Sequence, residues 1–312
     1  MVLPIITALD GIVEAFALIS PTASSKLISS FAISGNFEAI LCDDSKTFSE
    51  LKNVPPVFHD LDKLATSFTS HKIPKETRWL ITTSGTTGEP KLVSHTLMSL
   101  TRTTKIDPER GANVRWGMLY DYTRFAGLQV LLQSVISGSK LIVPPFEDSL
   151  DEKIKKFIDH DCTHLSATPT LWRKIAMTSK AKQINLLQAT LGGEIADDRI
   201  LAATAKLFPK ARIVHIFAST EAGVGFSVAD NRAGFPLSYL KNPPSGVDIK
   251  VKNNKLYVLN KRVYSKYFES DATFASKDGW VDTGESVEIK KDRVLFRGRE
   301  DGVINVGGNK VF

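Results

Sequence analysis

One short stretch of the chain gathers the residue types that hold phosphate. The segment ITTSGTTGEPKLVSH, residues 81–95, contains two glycines, a run of hydroxyl side chains and Lys91. Glycine lets the backbone approach a ligand closely, hydroxyls donate to phosphate oxygens, and a lysine supplies positive charge. A Walker A loop carries its lysine directly after the second glycine, whereas here Gly88 is followed by Glu89 and Pro90. We expect a phosphate-binding loop of another kind, although such a segment considered alone is also typical of a surface turn.

The elements that must position this loop alternate between strands and helices. Apolar strand-like runs are followed by helical segments from RWLITT (78–83) to ARIVHIFAST (211–220), which predicts a mostly parallel sheet with flanking helices on both faces. A helix is expected at 94–104, just beyond the loop, where its dipole would favour an anion. From about Phe226 the pattern changes, and the turn signal Asn253–Asn254 predicts an antiparallel meander. The predicted fold class is α/β with a smaller antiparallel β subdomain near the C-terminus.

The composition argues against several classes of protein. A length of 312 residues with 42% hydrophobic and 24% charged residues is typical of a soluble globular protein. The net charge of +6 suits an anionic small ligand, but no dense basic cluster with interleaved aromatics indicates nucleic-acid binding. Asp10 and Glu14 interrupt the apolar opening, so we expect no signal peptide, no membrane span and a cytoplasmic location. Cys42 and Cys162 are expected to be reduced core residues, and no His/Cys cluster indicates a structural metal.

Four segments, taken together in their order and spacing, are similar to the signatures of one enzyme superfamily. They are TTSGTTGEPK (82–91), LGGE (191–194), IFASTE (216–221), and GWVDTGE (279–285) with FRGRED (296–301). From Trp79 to Phe312 the chain resembles the adenylate-forming superfamily of acyl- and aryl-CoA ligases, peptide-synthetase adenylation domains and luciferases.

This resemblance implies a role for each motif residue. The loop residues would wrap the triphosphate of ATP: Thr83, Ser84, Gly85, Thr86, Thr87, Gly88 and Lys91. The remaining nucleotide-binding residues would be Gly192, Gly193 and Glu194 against the adenine, Phe217 with Ala218 and Ser219 along the adenine and acyl sites, and Glu285 with Arg299 at the ribose. Thr220 would bond the α-phosphate, and Glu221 would hold Mg²⁺, which keeps most of its waters and takes phosphate oxygens as ligands. Thr220, Glu221, Lys91 and Arg124 would then be the catalytic residues.

The activity implied by the resemblance is ATP- and Mg²⁺-dependent adenylation of a small carboxylic acid. The next step would be transfer to coenzyme A, as in an AMP-forming acyl-CoA synthetase, and the INVGG tail (304–308) is similar to that of such ligases. Two alternatives stay open: an adenylation domain that loads the phosphopantetheine of a carrier protein, and a non-catalytic nucleotide-binding or interaction module. The polar residues Tyr122 and Arg124 favour a polar or small acid over a long fatty acid as the substrate.

Several positions depart from the superfamily pattern. Glu285 replaces the usual aspartate, Ala218 the usual glycine, and Arg124 a histidine that many relatives carry. Residues 1–225 are interpreted as the α/β nucleotide- and acid-binding region, 226–300 as the β subdomain, and 301–312 as the start of a hinge marked by Asp301. The small C-terminal domain of the superfamily, which supplies a lysine for adenylation, is expected to be absent, so we expect this chain alone to be impaired.

Each functional interpretation has a structural alternative. Glu221 could begin a helix capped by Ser219 or Thr220, and Glu285 with Arg299 could form a surface ion pair. Arg124 could bind a substrate carboxylate or the adenylate phosphate, or only brace a loop. We expect purely structural roles for a further set of residues: His95, His164, His215, Leu171, Trp172 and the apolar stripe 128–136.

Overall fold

The computed structural model describes residues 2–42, 54–59, 76–83, 90–244, 246–264, 266–299, 304–306 and 309–311. The α-helices are Val2–Leu9, Ser25–Ser34, Leu97–Leu100, Pro108–Gly111, Phe125–Ile136, Leu150–Asp159, Pro169–Met177 and Asp198–Leu207, with 3₁₀ turns at Ala181–Gln183 and Leu237–Leu240. The strands are β1 Ala15–Leu18, β2 Ile40–Leu41, β3 Val57–Phe58, β4 Arg78–Thr82, β5 Leu92–His95, β6 Arg115–Gly117, β7 Lys140–Ile142, β8 His164–Ala167, β9 Gln188–Gly192, β10 Arg212–Ser219, β11 Gly223–Val228, β12 Phe235–Pro236, β13 Asp248–Lys252, β14 Lys255–Leu259, β15 Trp280–Lys290, β16 Arg293–Arg299, β17 Ile304–Val306 and β18 Asn309–Val311. None of the described helices is long and apolar enough to cross a membrane.

A six-stranded sheet with the order β11-β10-β9-β8-β6-β7 forms the centre of the α/β region. All of its strands are parallel except β11, which pairs antiparallel to β10 at the edge. Helices 150–159, 169–177 and 198–207 pack on one face through a core that includes Phe157, Trp172 and Leu201. Helix Phe125–Ile136 packs on the other face against Trp116. The predicted parallel sheet with helices on both faces is thereby confirmed.

A separate sheet holds the segments that precede and follow the hydroxyl-rich loop. Its order is β1-β4-β5, with β1 parallel and β5 antiparallel to β4. The expected helix at 94–104 is wrong over its first part, because Ser94 and His95 are buried in β5 and pair with β4. The helix that follows is only four residues long, Leu97–Leu100, and is separated from the loop by that strand. It therefore lends the loop no helix dipole of the kind expected.

The C-terminal part of the chain folds into a curled antiparallel sheet, as predicted. Its order is β12-β16-β15-β14-β13. Asn253 and Asn254 join β13 to β14 with φ angles of 51° and 59°, the left-handed pair that a tight hairpin turn requires. Phe226, in β11, lies in the hydrophobic core under this C-terminal sheet. Strand β11 thus spans residue 226, and the division into 1–225 and 226–300 stays a prediction.

The two cysteines lie in different environments. Cys162 is a buried core residue, and burial raises the pKa of its thiol to about 12. Cys42 is only half-buried, and its Sγ lies 3.6 Å from Nδ1 of His59. Both are free thiols. The core position expected for Cys42 is therefore wrong: the residue directly follows the two-residue strand β2, which among the described strands pairs with β3.

Candidate active site

A cleft of about 1210 Å³ runs between the carboxyl ends of the parallel strands, the β4–β5 hairpin and the C-terminal sheet. The carboxyl edge of a parallel sheet is where open α/β folds bind ligands. Most of the predicted site residues that the structure describes line this cleft: Thr83, Arg124, Gly192, Gly193, Phe217, Ala218, Ser219, Thr220, Glu221, Glu285 and Arg299. Two others, Lys91 and Glu194, are not among its lining residues. Ser84, Gly85, Thr86, Thr87 and Gly88, like the hinge residue Asp301, lie outside the described residues.

The two ends of the hydroxyl-rich loop are tied together by a β-hairpin. The backbone N–H of Thr83 donates to the carbonyl of Lys91 at 2.8 Å, and the N–H of Lys91 donates to Oγ1 of Thr83 at 3.3 Å. Thr83 is buried at the edge of the cleft. The loop therefore leaves and rejoins the sheet at one fixed point beside the cleft.

Tyr267 is a cleft residue that the sequence patterns did not reveal. The Lys91 ammonium lies over the Tyr267 ring, 4.7 Å from its centroid. An isolated bridge pairs Tyr267 with Val93, and the N–H of Phe268 donates to the carbonyl of Leu92 at 2.8 Å. Burial first, and then the negative charge of Glu221, raise the pKa of Tyr267 to about 12. A neutral phenol therefore stands between the loop lysine and the carboxylate predicted to hold Mg²⁺.

The turn that carries Thr220 and Glu221 is held from two sides. Burial lowers the pKa of His95 to about 4, so its imidazole is neutral near pH 7 and its Nε2–H donates to the Thr220 carbonyl at 2.7 Å. On the other side, Nδ2 of the buried Asn260 donates to the Ala222 carbonyl at 3.0 Å. The turn joins β10 directly to β11, so a capped helix start is not the reason for Glu221.

Glu285 and Arg299 form an ion pair inside the cleft rather than on the surface. They face each other across β15 and β16, with Oε1 and Nη1 3.3 Å apart and side chains only 13% and 16% exposed. Nη1 of Arg299 also donates to the Thr283 carbonyl at 3.1 Å. Gly284 has φ 70°, and a Cβ there would stand 2.6 Å from Nη2 of Arg299. The glycine is thus needed both for the backbone conformation and for the position of the guanidinium.

The LGGE segment divides between the cleft and a helix. Gly192 and Gly193 line the cleft, and Gly193 has φ 80°. The Glu194 carboxylate accepts a hydrogen bond of 2.8 Å from the N–H of Thr170, in the first turn of helix Pro169–Met177. The Glu194 side chain is thus an anionic partner for that helix start, and its expected place against the adenine stays a prediction.

Arg124 lines the cleft at the start of helix Phe125–Ile136, and no described residue accepts a hydrogen bond from its guanidinium. Its backbone N–H donates to the carbonyl of Asp121 at 3.0 Å. The Asp121 carboxylate accepts from the Ser20 hydroxyl at 2.7 Å and from the Thr123 hydroxyl at 2.6 Å. Asp121 was missed from the sequence because its partner Ser20 lies about a hundred residues away. The Arg124 guanidinium is thus a positive charge at the cleft, and the Asp121 carboxylate is already satisfied by two hydroxyls.

Phe217 and the three histidines differ in whether they line the cleft. Phe217 lines it and stacks on Phe226 and Phe296, with ring centroids 5.3 and 5.4 Å apart. The structural roles expected for His95 and His215 agree with their hydrogen bonds to backbone carbonyls, of Thr220 and Arg232 respectively. His164, in contrast, lines the cleft. Trp172 is core as expected, whereas Leu171 and part of the stripe 128–136 also line the cleft.

The donors in the cleft fit a Mg²⁺ ion bound together with phosphate. Glu221 offers one carboxylate beside the hydroxyls of Thr83 and Thr220, all lining the same space. Among the described residues no group of three or more His, Cys, Asp or Glu side chains is arranged to hold a metal ion alone. A hard oxygen donor with room for water and phosphate oxygens is the arrangement that Mg²⁺ prefers.

Comparison with known proteins agrees with this geometry. The family described as AMP-binding enzyme matches residues 34–263. A plipastatin synthase of Bacillus subtilis is 22% identical over 269 residues, 75% of this chain but 10% of that protein. The non-ribosomal peptide synthetase CmlP of Streptomyces venezuelae is 24% identical over 258 residues, 74% of this chain and 26% of that protein. The chain therefore spans a small part of these relatives.

Solved structures show the same fold. The amide bond synthetase McbA of Marinactinospora thermotolerans matches 99% of this chain and 70% of its own length, with a TM-score of 0.78 and 16% identity. The o-succinylbenzoate CoA synthetase of Bacillus subtilis, in complex with its acyl-adenylate, matches 96% of this chain and 66% of its own length, with a TM-score of 0.69 and 18% identity. With the family match extending over most of its length, this chain belongs to the AMP-binding family of adenylate-forming enzymes.

Proposed function

We propose that this chain activates a carboxylic acid as its acyl-adenylate, using ATP and Mg²⁺. The observation that carries the proposal is one cleft lined by residues of four separate motifs: Thr83, Thr220 with Glu221, Gly192, and Glu285 with Arg299. These residues lie in or directly after strands of three different sheets. Their meeting at one cleft is expected if they bind one ligand and is otherwise unexplained.

The reaction follows from placing a carboxylate beside the α-phosphate of ATP. A carboxylate oxygen attacks the α-phosphorus, the bond from phosphorus to the oxygen bridging to the β-phosphate breaks, and pyrophosphate leaves with that electron pair. No proton moves, because the acid reacts as its anion. Bound Mg²⁺ would offset the negative charge on the phosphate oxygens. The protein contributes mainly by positioning and by fixed donors.

Each cleft residue has a part in that positioning. The Thr220 hydroxyl donates to an α-phosphate oxygen, and its backbone is held by His95 so that this donor is oriented before ATP binds. The Glu285 carboxylate accepts from the ribose hydroxyls, while Arg299 fixes its direction. Arg124 offers its guanidinium to the carboxylate of the acid or to the adenylate phosphate.

The second step transfers the acyl group to a thiol: the sulfur, having lost its proton to solvent, attacks the carbonyl carbon, the bond from that carbon to the phosphate oxygen breaks, and AMP leaves with the electron pair. Coenzyme A is the acceptor that we propose, supported by the similarity in fold to a CoA synthetase. The relative CmlP is a peptide synthetase, which favours a carrier phosphopantetheine instead. Measuring thioester formation with CoA and, separately, with a holo carrier protein distinguishes these two acceptors. The hinge at residue 301, the lower activity of this chain alone and the cytoplasmic location also stay predictions.

Calorimetric titration of AMP, and of ATP with Mg²⁺, tests the first step. In Arg299→Ala we expect AMP to bind at least about tenfold more weakly, since a charge-assisted hydrogen-bond network is lost. Glu221→Ala should keep AMP binding and lose the contribution of Mg²⁺ to ATP binding. Arg297→Ala is the matched control, because Arg297 lies in the same strand, pairs with Glu288 and does not line the cleft. A parent chain that binds neither nucleotide, or an Arg297 variant as weak as the Arg299 variant, would refute the proposal.

A further inference from the structure

Three strands of the six-stranded sheet carry polar side chains on one face, where a parallel sheet covered on both sides is normally apolar. The register places His164, Gln188 and Arg212 side by side in β8, β9 and β10. Two residues further along, Ser166 stands beside Thr190, and β10 contributes the apolar Val214 to that row. Neighbouring residues at one register position project from the same side of a sheet. The polar side chains therefore form two rows across one face.

The opposite face of the sheet is apolar, as is usual for a covered parallel sheet. Leu165, Ala189 and Ile213, which alternate with the polar residues along the same strands, are at most 4% exposed and belong to the core under the helices. The polarity is thus not a property of the strands as a whole. It is confined to the side on which the cleft lies.

The polar rows form the floor of the same cleft that the nucleotide motifs line. Its walls include Gln129 and Gln133 from helix Phe125–Ile136. From Gly192, at the nucleotide end of β9, to Gln188 at the other end is four residue steps, or roughly 13 Å. A substrate whose carboxylate meets the α-phosphate can therefore extend along this floor.

The far end of the floor carries a surplus of positive charge. Arg212 stands beside Gln188 in the register and Arg110 lies near His164, and both line the cleft together with the carboxylate of Asp107. That carboxylate already accepts from the backbone N–H of Arg110 at 3.0 Å. An anion entering this end of the cleft meets two guanidinium groups and one carboxylate.

His164 adds a neutral hydrogen-bonding group to that end. Burial and the nearby charge of Arg110 lower the pKa of His164 to about 4, so the imidazole stays uncharged near pH 7. Nδ1 lies 2.9 Å from Oγ1 of Thr163, and the ring packs against Trp116 with centroids 5.0 Å apart. The positive charge there comes from the two arginine side chains.

We propose, on the basis of the function proposed above, that the acid activated by this chain carries a second carboxylate at its far end, which Arg110 and Arg212 bind. Ser166, Gln188 and Thr190 then face the chain between the two carboxylates. Gln188 already donates to Oγ1 of Thr190 at 3.1 Å, and a fatty acyl chain of the same length would cover the remaining donors and acceptors without replacing their hydrogen bonds to water, which is costly. A site built to bond a polar group discriminates strongly against an analogue that lacks it.

Two acyl-sulfamoyl adenosine mimics of equal chain length, decanoyl and decanedioyl, test this by calorimetry. We expect the decanedioyl mimic to bind about tenfold or more tightly, because its second carboxylate gains charge-assisted hydrogen bonds. The preference should vanish in the double variant Arg110→Ala/Arg212→Ala. Lys210→Ala is the control, since Lys210 is exposed, lies two residues before β10 and does not line the cleft.

AMP titrated into the same proteins separates this inference from the function on which it rests. AMP should bind the parent, the double variant and the control alike, because neither arginine belongs to the nucleotide motifs. Equal affinity of the two mimics, or tighter binding of decanoyl, with AMP binding intact would overturn the inference alone. Failure of AMP and of both mimics to bind the parent would overturn the proposed function and this inference with it. Thermal unfolding followed by circular dichroism verifies that the variants are folded.

Discussion

His95 ties the stability of this protein to pH through a single buried imidazole. Its pKa lies at about 4 in the folded chain, against an ordinary value of 6.5, because burial disfavours the charged form. Between these values the unfolded chain binds a proton that the folded chain does not. Unfolding therefore takes up a proton, and stability falls as the pH drops below about 6.5. Above that pH the imidazole is neutral in both states and its contribution is constant.

The size of the effect follows from the two pKa values. From about pH 7.5 to about pH 5, a shift of this size lowers the free energy of unfolding by about 2 kcal/mol for His95 alone. Replacing the side chain by glutamine keeps an N–H donor for the Thr220 carbonyl and removes the titration. The variant His95→Gln should therefore lose about 2 kcal/mol less than the parent over this range.

Urea unfolding at both pH values measures this difference directly. The exposed His160, at the end of helix Leu150–Asp159, provides the control His160→Gln, which should follow the parent. Other titrating groups act on parent and variant alike and cancel in the comparison. If His95→Gln and the parent lose the same free energy within about 0.5 kcal/mol, His95 is not a buried neutral donor, and the account of the Thr220 turn fails with it.

Two further perturbations probe the pairs at the edge of the cleft. Tyr267→Leu should lower the free energy of unfolding by about 0.5–1 kcal/mol more than Tyr267→Phe, since only phenylalanine keeps an aromatic face under the Lys91 ammonium; urea midpoints that coincide for the two variants would contradict the contact. Gly284→Ala should weaken AMP binding by displacing Arg299, as well as straining a backbone with φ 70°. Gly246→Ala carries a similar strain, with φ 71° and nothing within 4 Å of its Cβ, so calorimetry showing equal AMP affinity in both variants would exclude the displacement.

The parts of the fold that the sequence predicted well are those fixed by local pattern. Strands β8, β9 and β10 are each linked to the next by a helix of nine or ten residues, and a helix between strands dictates parallel order. The pair Asn253–Asn254 encodes a turn because asparagine tolerates the left-handed region. Such signals operate over a few residues and need no knowledge of the rest of the chain.

The parts that the sequence did not predict depend on partners far away in the chain. Strand β5 forms because it pairs with β4 across the loop, although its sequence also suits the start of a helix. Tyr267 reaches the cleft because its segment bonds to β5, about 175 residues earlier. The Glu194 side chain does not line the cleft and instead accepts a hydrogen bond from the N–H of Thr170 at a helix start. Motif spacing selected the candidate residues, but tertiary hydrogen bonds decide which of their side chains face the cleft.

One informative signal was present in the strand sequences themselves. A parallel strand buried on both faces should be continuously apolar, yet HLSA in β8 and QATLG in β9 alternate. Alternation of polar and apolar residues along a parallel strand indicates that one face of the sheet is in contact with polar groups or solvent. Here Ser166 and Thr190 meet the cleft, while Leu165 and Ala189 meet the helices. The motifs that line one end of this cleft are common to its family, whereas the floor is made of residues that only the pleat brings together. In the function proposed above, it is this floor that decides which acid is bound.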